Sequence, residues 1–196
     1  MGRTRLEAFS DAVIAIIITI MVLDLRPPEN PSFSALLPVA PVFISYVLSF
    51  VYVGIYWNNH HHLFHLSPRV NGGILWANLH LLFWLSLFPF TTAWLGENHF
   101  AALPALLYGV VLLAAALAYW LLQARIIALQ GPQSPLRAAL GRDWKGKFSP
   151  LLYLLGIVAA ALGYAWPALA LYVLVALLWL VPDRRIEKAL RHASLE

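Results

Sequence analysis

Apolar residues dominate six stretches of the chain, and short joints rich in proline or polar residues separate most of them. The stretches lie at about 6–26, 38–64, 72–95, 101–128, 150–166 and 168–182. A helix needs about 20 apolar residues to cross the hydrocarbon core of a bilayer. The last two stretches are short and are divided by Trp166-Pro167, which predicts a tight helical hairpin with its turn at the membrane surface. The pattern predicts an all-α integral membrane protein, with one six-helix transmembrane domain over 1–196.

Composition agrees with a chain whose solvent is mostly lipid. Hydrophobic residues make up 61% of the chain and charged residues only 11%, whereas a soluble domain carries about 25% charged residues. The sequence has no cysteine, so disulfides and thiolate metal sites are excluded. The net charge of +4 does not indicate a nucleic-acid partner, because the basic residues sort by membrane side.

The distribution of lysine and arginine predicts the topology. With six spans, twelve basic residues fall on one side, and only Arg26 falls on the other. The twelve are Arg3, Arg5, Arg69, Arg125, Arg137, Arg142, Lys145, Lys147, Arg184, Arg185, Lys188 and Arg191. Cytoplasmic loops carry the excess of positive charge, so we expect a multi-pass protein of the cell membrane with both termini in the cytoplasm. Glu7 and Asp11 interrupt the start of the first apolar stretch, which argues against a cleaved signal peptide.

The first apolar helix has two distinct features, a stripe of apolar side chains and two acids. At 100° per residue, one face holds the residues that we call the first-helix stripe: Phe9, Ala12, Ile16, Ile20 and Leu23. Thr19 lies at its edge. Such a stripe ordinarily packs against protein or contacts lipid.

The two acids are Asp11 near the start of this helix and Asp24 near its end. Acids inside a membrane are costly and mark functional candidates. Asp11 points roughly away from the first-helix stripe, so we expect it to face neighbouring helices as a packing anchor. An alternative is a proton-coupled transporter that uses Asp11, although the inverted repeats and broken helices typical of transporters are not evident.

A histidine-rich cluster follows in the second stretch, between His60 and His65. His61 and His65 are four residues apart and share a helix face, a spacing that suits a metal. The cluster raises the alternative of a membrane metalloenzyme. However, no carboxylate is near it in sequence, and hydrogen bonding between helices is the commoner role of such side chains. With no nucleophile triad or phosphate-binding motif, we expect no enzyme activity, no resident metal and no cofactor.

Three motifs on successive helices resemble the transmembrane protein 175 family of potassium channels. They are Arg5-x-x-x-Phe9-Ser10-Asp11, then Ser49-Phe50 with Trp57 and His60-His61, then Asn78-Leu79 followed by Phe88-Pro89-Phe90-Thr91-Thr92. Ala12 stands where many members have glycine. The resemblance is strong over residues 3–96 and amounts to hydropathy and length beyond them.

The resemblance implies a fold of six helices per repeat, with the first helix lining a central four-fold pore. Because the chain has one such repeat, it implies a homotetramer embedded in lipid, and a pore that conducts potassium without a carbonyl selectivity filter. The implied constriction consists of Ile16, Ile20 and Leu23, with Thr19 as the hydroxyl position linked to selectivity. The implied structural network consists of Arg5, Phe9, Ser10, Asp11, Trp57, His60, His61 and Asn78. We expect Asp24 to lie at the outer mouth and attract cations there.

Overall fold

The computed structural model describes residues 2–67, 69–141 and 143–180, and helices account for most of them. The α-helices are α1 (Arg3–Leu23), α2 (Ala40–His65), α3 (Gly72–Ser86), α4 (Phe88–Glu97), α5 (Ala102–Gln130), α6 (Pro135–Leu140), α7 (Trp144–Ala161) and α8 (Ala165–Leu180). A 3-10 helix, Phe33–Val39, leads into α2. The all-α prediction is confirmed, since these residues contain no strand.

Four helical segments are long and apolar enough to cross a membrane. They are Arg3–Leu23, Phe33–His65, Gly72–Glu97 and Ala102–Gln130, and they coincide with the first four predicted stretches. The fifth and sixth stretches correspond to α7 and α8, and α8 is a shorter apolar helix. The predicted end of the sixth stretch, at residue 182, lies outside the described residues, as do Arg142 and the four basic residues beyond 180.

The third segment consists of two helices, α3 and α4, that meet at Leu87. Pro89 lies in the first turn of α4. Proline has no backbone N–H and clashes with the carbonyl four residues earlier, so it interrupts a helix but is tolerated in the first turn. The interruption lets two short helices serve as one segment of membrane-spanning length.

The hairpin between α7 and α8 turns earlier than the sequence suggested. Helix α7 ends at Ala161, and Gly163 adopts a φ of 89° in the connection to Ala165. Glycine reaches positive φ without steric cost, whereas Pro167 fits the first turn of α8, where its missing N–H is not needed. The prediction of a turn at Trp166-Pro167 was therefore wrong, because that proline begins a helix.

Helix α5 forms the centre of the bundle, and α1 lies at its edge. Helix α5 packs against α3, α4, α7 and α8, whereas the main contacts of α1 within the described residues are with α2, α3 and α4. Tyr172 of α8 fits against Gly109 of α5 and Gly156 of α7, where a β-carbon would overlap its ring or hydroxyl. The glycines thus allow the second half of the chain to pack tightly. Helix α1 in turn keeps one long face that the other described residues leave exposed.

Candidate functional site

The buried face of α1 fixes the helix to its own subunit. Its buried residues are Leu6, Ser10, Ile14, Ile17 and Met21. They recur every three or four positions, which is the spacing of a single helix face. This face packs on α2, α3 and α4.

The first-helix stripe lies on a different side of α1, and it is exposed in the part of the chain that the structure describes. Phe9 is 46% exposed, Ile16 55%, Ile20 45% and Leu23 78%, and Ala12 is also exposed. Four large apolar side chains on one face of the helix are thus not buried by contacts among the described residues of one subunit. Lipid, water or other copies of the chain must meet this surface.

Thr19 lies beside the stripe and is exposed. Its hydroxyl donates a hydrogen bond to the carbonyl of Ile16 at 2.9 Å. A hydroxyl has one hydrogen and two lone pairs, so the Thr19 oxygen can still accept a hydrogen bond or contact a cation.

A chain of buried hydrogen bonds joins α1, α3 and α2. The side-chain amide of Asn78 donates to Ser10 Oγ at 2.9 Å, and Asn78 Oδ1 lies 2.8 Å from His60 Nε2. Ser10 Oγ in turn donates to the Leu6 carbonyl at 2.9 Å. All three side chains are at most 1% exposed. Because Asn78 Oδ1 is an acceptor, Nε2 of His60 carries a proton in this arrangement.

Asp11 and Trp57 form a second connection between α1 and α2, at the surface of the chain. Trp57 Nε1 donates to Asp11 Oδ1 at 3.1 Å, and both side chains are exposed. Asp11 thus faces and contacts a neighbouring helix, as expected of a packing anchor, but its side chain is exposed rather than buried. Ser10 occupies the inward position instead, since it lies 100° from Asp11 around the helix.

Arg5, Phe9 and His61 do not join these hydrogen bonds. Phe9 belongs to the exposed stripe, and Arg5 makes no hydrogen bond or ion pair within the described part of the chain. His61 is exposed, with its ring centroid 6.2 Å from that of His65. The predicted network therefore separates into a buried triad of Ser10, Asn78 and His60, an exposed pair and three residues outside both.

A further buried polar group was not predicted. Thr92 of α4 donates to Ser49 Oγ at 2.6 Å, and Ser49 lies 2.9 Å from the Tyr108 hydroxyl of α5. Thr92 also approaches Met21 Sδ of α1 at 3.9 Å. Buried hydroxyls are nearly always hydrogen-bonded. The Ser and Thr residues within the apolar stretches could therefore have predicted hydrogen bonds between these helices.

Asp24 follows the last residue of α1 at the end of the bundle opposite Arg3 and Arg5. Partial burial raises the pKa of Asp24, nearby Glu97 raises it further, and Arg26 lowers it. Glu97 ends α4, so the ends of α1 and α4 lie together. The proximity of Glu97 was not predicted, since 73 positions in sequence separate the two acids.

The histidine cluster does not assemble a metal site. Across residues 2–67, 69–141 and 143–180, no group of three or more His, Cys, Asp or Glu side chains is placed to hold a metal ion. His60 is turned inward to Asn78, and His80 accepts a hydrogen bond from Trp84 at 2.9 Å. The geometry gives no support to the metalloenzyme alternative.

Comparison with known proteins identifies the family. The model of the family described as the endosomal/lysosomal potassium channel TMEM175 matches residues 5–89, which include α1 from Arg5 onward, α2 and α3. A potassium channel of Chryseobacterium sp. is 54% identical over 191 residues, covering 97% of this chain and 99% of that protein. The chain belongs to the TMEM175 family.

Further relatives agree with this assignment. A potassium channel of Streptomyces collinus is 35% identical over 123 residues, which cover 59% of this chain and 60% of that protein. The crystal structure of a lysosomal potassium-selective channel TMEM175 homolog from Chamaesiphon minutus matches with a TM-score of 0.73 and 26% identity. The match covers 91% of this chain and 96% of that one. The TMEM175 family and these relatives are channels and not enzymes.

The buried triad generates a stability prediction. Asn78→Ala should lower the free energy of unfolding by about 1–3 kcal/mol, the cost of leaving a buried polar group without its partner. Asn58→Ala is the matched control, because Asn58 is exposed on α2 and surface substitutions usually change stability by less than about 0.5 kcal/mol. Thermal unfolding in detergent measures both. Equal shifts for the two variants would show that the triad does not stabilise α1 on its subunit.

Proposed function

We propose that the chain is the subunit of a potassium-selective channel and that the first-helix stripe faces the ion pathway. The observation that carries the proposal is the stripe itself, an apolar face of α1 that is exposed among the residues of the subunit that the structure describes. We infer potassium as the permeant ion from the relatives, since the similar proteins of Chryseobacterium and Streptomyces are named potassium channels. Membrane lipid surrounds the assembly.

Four copies would assemble into a homotetramer with α1 innermost. Each subunit would contribute six transmembrane helices: α1, α2, the α3–α4 pair, α5, α7 and α8. A single helix cannot enclose a pore, whereas a ring of identical helices brings the same face of each to a common axis. The location of α1 at the edge of the bundle suits this arrangement, because α5 rather than α1 occupies the centre of the subunit.

Ile16, Ile20 and Leu23 would form stacked apolar rings in such a pore. Apolar constrictions gate by dewetting, because a partly dehydrated cation finds no ligand there to replace its water. Thr19 would add a ring of hydroxyl oxygens within this zone, and those oxygens are the selectivity candidates. The sequence contains no Thr-Val-Gly-Tyr-Gly carbonyl filter, so selectivity would depend on the rings.

Asp24 would surround the outer mouth and concentrate cations there. Glu97 adds negative charge beside it, and both raise the local cation concentration. Because its pKa is raised, Asp24 would lose its charge at a higher pH than an ordinary aspartate as the outer solution is acidified.

Asp24→Asn should lower potassium flux only at low ionic strength, since salt screens exposed charges.

The arrangement of charges at the two ends supports the orientation with both termini in the cytoplasm of a cell membrane. Arg3, Arg5, Arg69, Lys145 and Lys147 lie at the end where α1, α3 and α7 begin. Arg26 follows the opposite end of α1. The positive-inside rule places the first end in the cytoplasm, and an accessibility assay on tagged termini in intact cells checks this directly.

Flux from liposomes tests the proposed function. Purified protein should release potassium faster than sodium from loaded liposomes, and native mass measurement in detergent should give four chains per particle. Absence of potassium-selective flux from a preparation of the correct mass contradicts the channel proposal. A monomeric mass contradicts the shared pore.

Ile16→Asn tests the constriction. A polar side chain wets an apolar ring, so potassium flux should rise several-fold in the same liposome assay. Ile44→Asn is the matched control, since Ile44 of α2 is 56% exposed, almost the same as Ile16 at 55%, and lies outside α1. Unchanged flux in Ile16→Asn, or an equal rise in both variants, would show that Ile16 does not form the constriction.

A further inference from the structure

A cavity lies away from α1, between α2, α5, α7 and α8. Its empty volume, counted out to its open mouth and including open solvent there, is about 560 Å³. Six aromatic side chains line it: Tyr52, Tyr56, Tyr119, Trp120, Tyr153 and Trp179. None of these residues belongs to the proposed ion pathway.

The polar residues of this aromatic cavity are mostly engaged with the protein. Ser149 Oγ accepts from Trp179 Nε1 at 2.9 Å and donates to the Lys145 carbonyl at 2.8 Å. The side-chain amide of Asn59 donates to the Ile55 carbonyl at 2.8 Å. Each of these two groups therefore uses part of its hydrogen-bonding capacity within the protein.

Asp143 gives the cavity a negative charge. Its Oδ1 accepts from Gly146 N at 3.1 Å, which caps the start of α7. Its other carboxylate oxygen has no hydrogen-bond partner within the described part of the chain. Among the described residues that line the cavity, Asp143 is the only Asp, Glu, Lys or Arg. Lys145 lines a smaller neighbouring cavity that shares Asp143 and Trp179.

Aromatic rings and a carboxylate together favour a cationic ligand. The face of an aromatic ring carries negative potential, and it attracts ammonium groups within about 6 Å of its centroid. Quaternary ammonium groups suit such cavities best, because they are weakly hydrated and cannot use hydrogen-bond acceptors. We propose that this cavity binds an alkylammonium group of the choline type, through its aromatic walls and the charge of Asp143.

Choline binding tests the proposal. Lipid-free protein in a non-ionic, choline-free detergent should bind choline saturably, as measured by calorimetry or ligand-observed NMR. The comparison ligand is 3,3-dimethyl-1-butanol, which has the shape of choline without its charge. Choline should bind at least about tenfold more tightly, as expected for one close charge pair. Equal binding of the two ligands, or no saturable choline binding, overturns the proposal.

Two pairs of variants locate the site. Asp143→Asn keeps an N-cap acceptor but removes the charge, and it should weaken choline binding by about tenfold, whereas Glu29→Gln, at an exposed loop acid, should not. Trp120→Leu should weaken binding by about two- to fivefold, as for an exposed cation–π contact. Trp76→Leu is its control, since Trp76 is exposed on α3 outside the cavity. Equal effects within either pair contradict the assignment.

The alkylammonium group that binds in this cavity can belong to a free organic cation or to a lipid headgroup. Protein in nanodiscs of phosphatidylcholine should bind free choline less tightly than protein in phosphatidylglycerol nanodiscs if the headgroup enters the cavity. Equal affinity in the two lipids assigns the site to a free cation. If the protein binds choline in detergent but in neither lipid, the site exists only in the detergent-solubilised protein, and the proposal is overturned.

Discussion

The hydrogen bond from Asn78 to Ser10 determines which face of α1 remains free. A polar group buried in a membrane protein is costly without a partner, so Ser10 must be turned inward to meet Asn78, and Asn78 must in turn meet His60. Helix α1 has little freedom to rotate once this contact is made. A rotation that buried the first-helix stripe would leave the Asn78 amide N–H without its acceptor on α1.

The apolar packing of α1 agrees with that constraint. Ile14, Ile17 and Met21 are buried on the same face as Ser10, so hydrophobic packing and hydrogen bonding favour one rotation. The exposed pair of Asp11 and Trp57 adds a contact at the boundary between the buried and free faces. The fixed rotation of α1 therefore holds the isoleucines of the first-helix stripe together on one exposed face. On another helix they would simply contact lipid, whereas here they can also contact other copies of the chain.

The sequence predicted those features that depend on local pattern. Four apolar segments, the exposed stripe and the contact of Asn78 with the first and second helices follow from helical periodicity and from the recognised motifs. Features that depend on tertiary packing were missed. The inward side chain is Ser10 and not Asp11, because α2 and α3 approach α1 from one side, and periodicity alone does not specify that side. The turn between α7 and α8 is at Gly163 because proline can begin a helix as well as end one. Glu97 beside Asp24 and Thr92 beside Ser49 are contacts between distant segments.

Cysteine scanning of α1 tests most directly whether the first-helix stripe lines the ion pathway. The chain has no native cysteine, so single substitutions can be read without background thiols. Silver ions, which resemble potassium in size and react with thiols, should block potassium flux through Ile16→Cys, Ile20→Cys and Leu23→Cys channels. They should leave flux through the parent protein and through the Ile14→Cys and Ile17→Cys channels unchanged. Block at the two buried positions with none along the stripe would contradict the account.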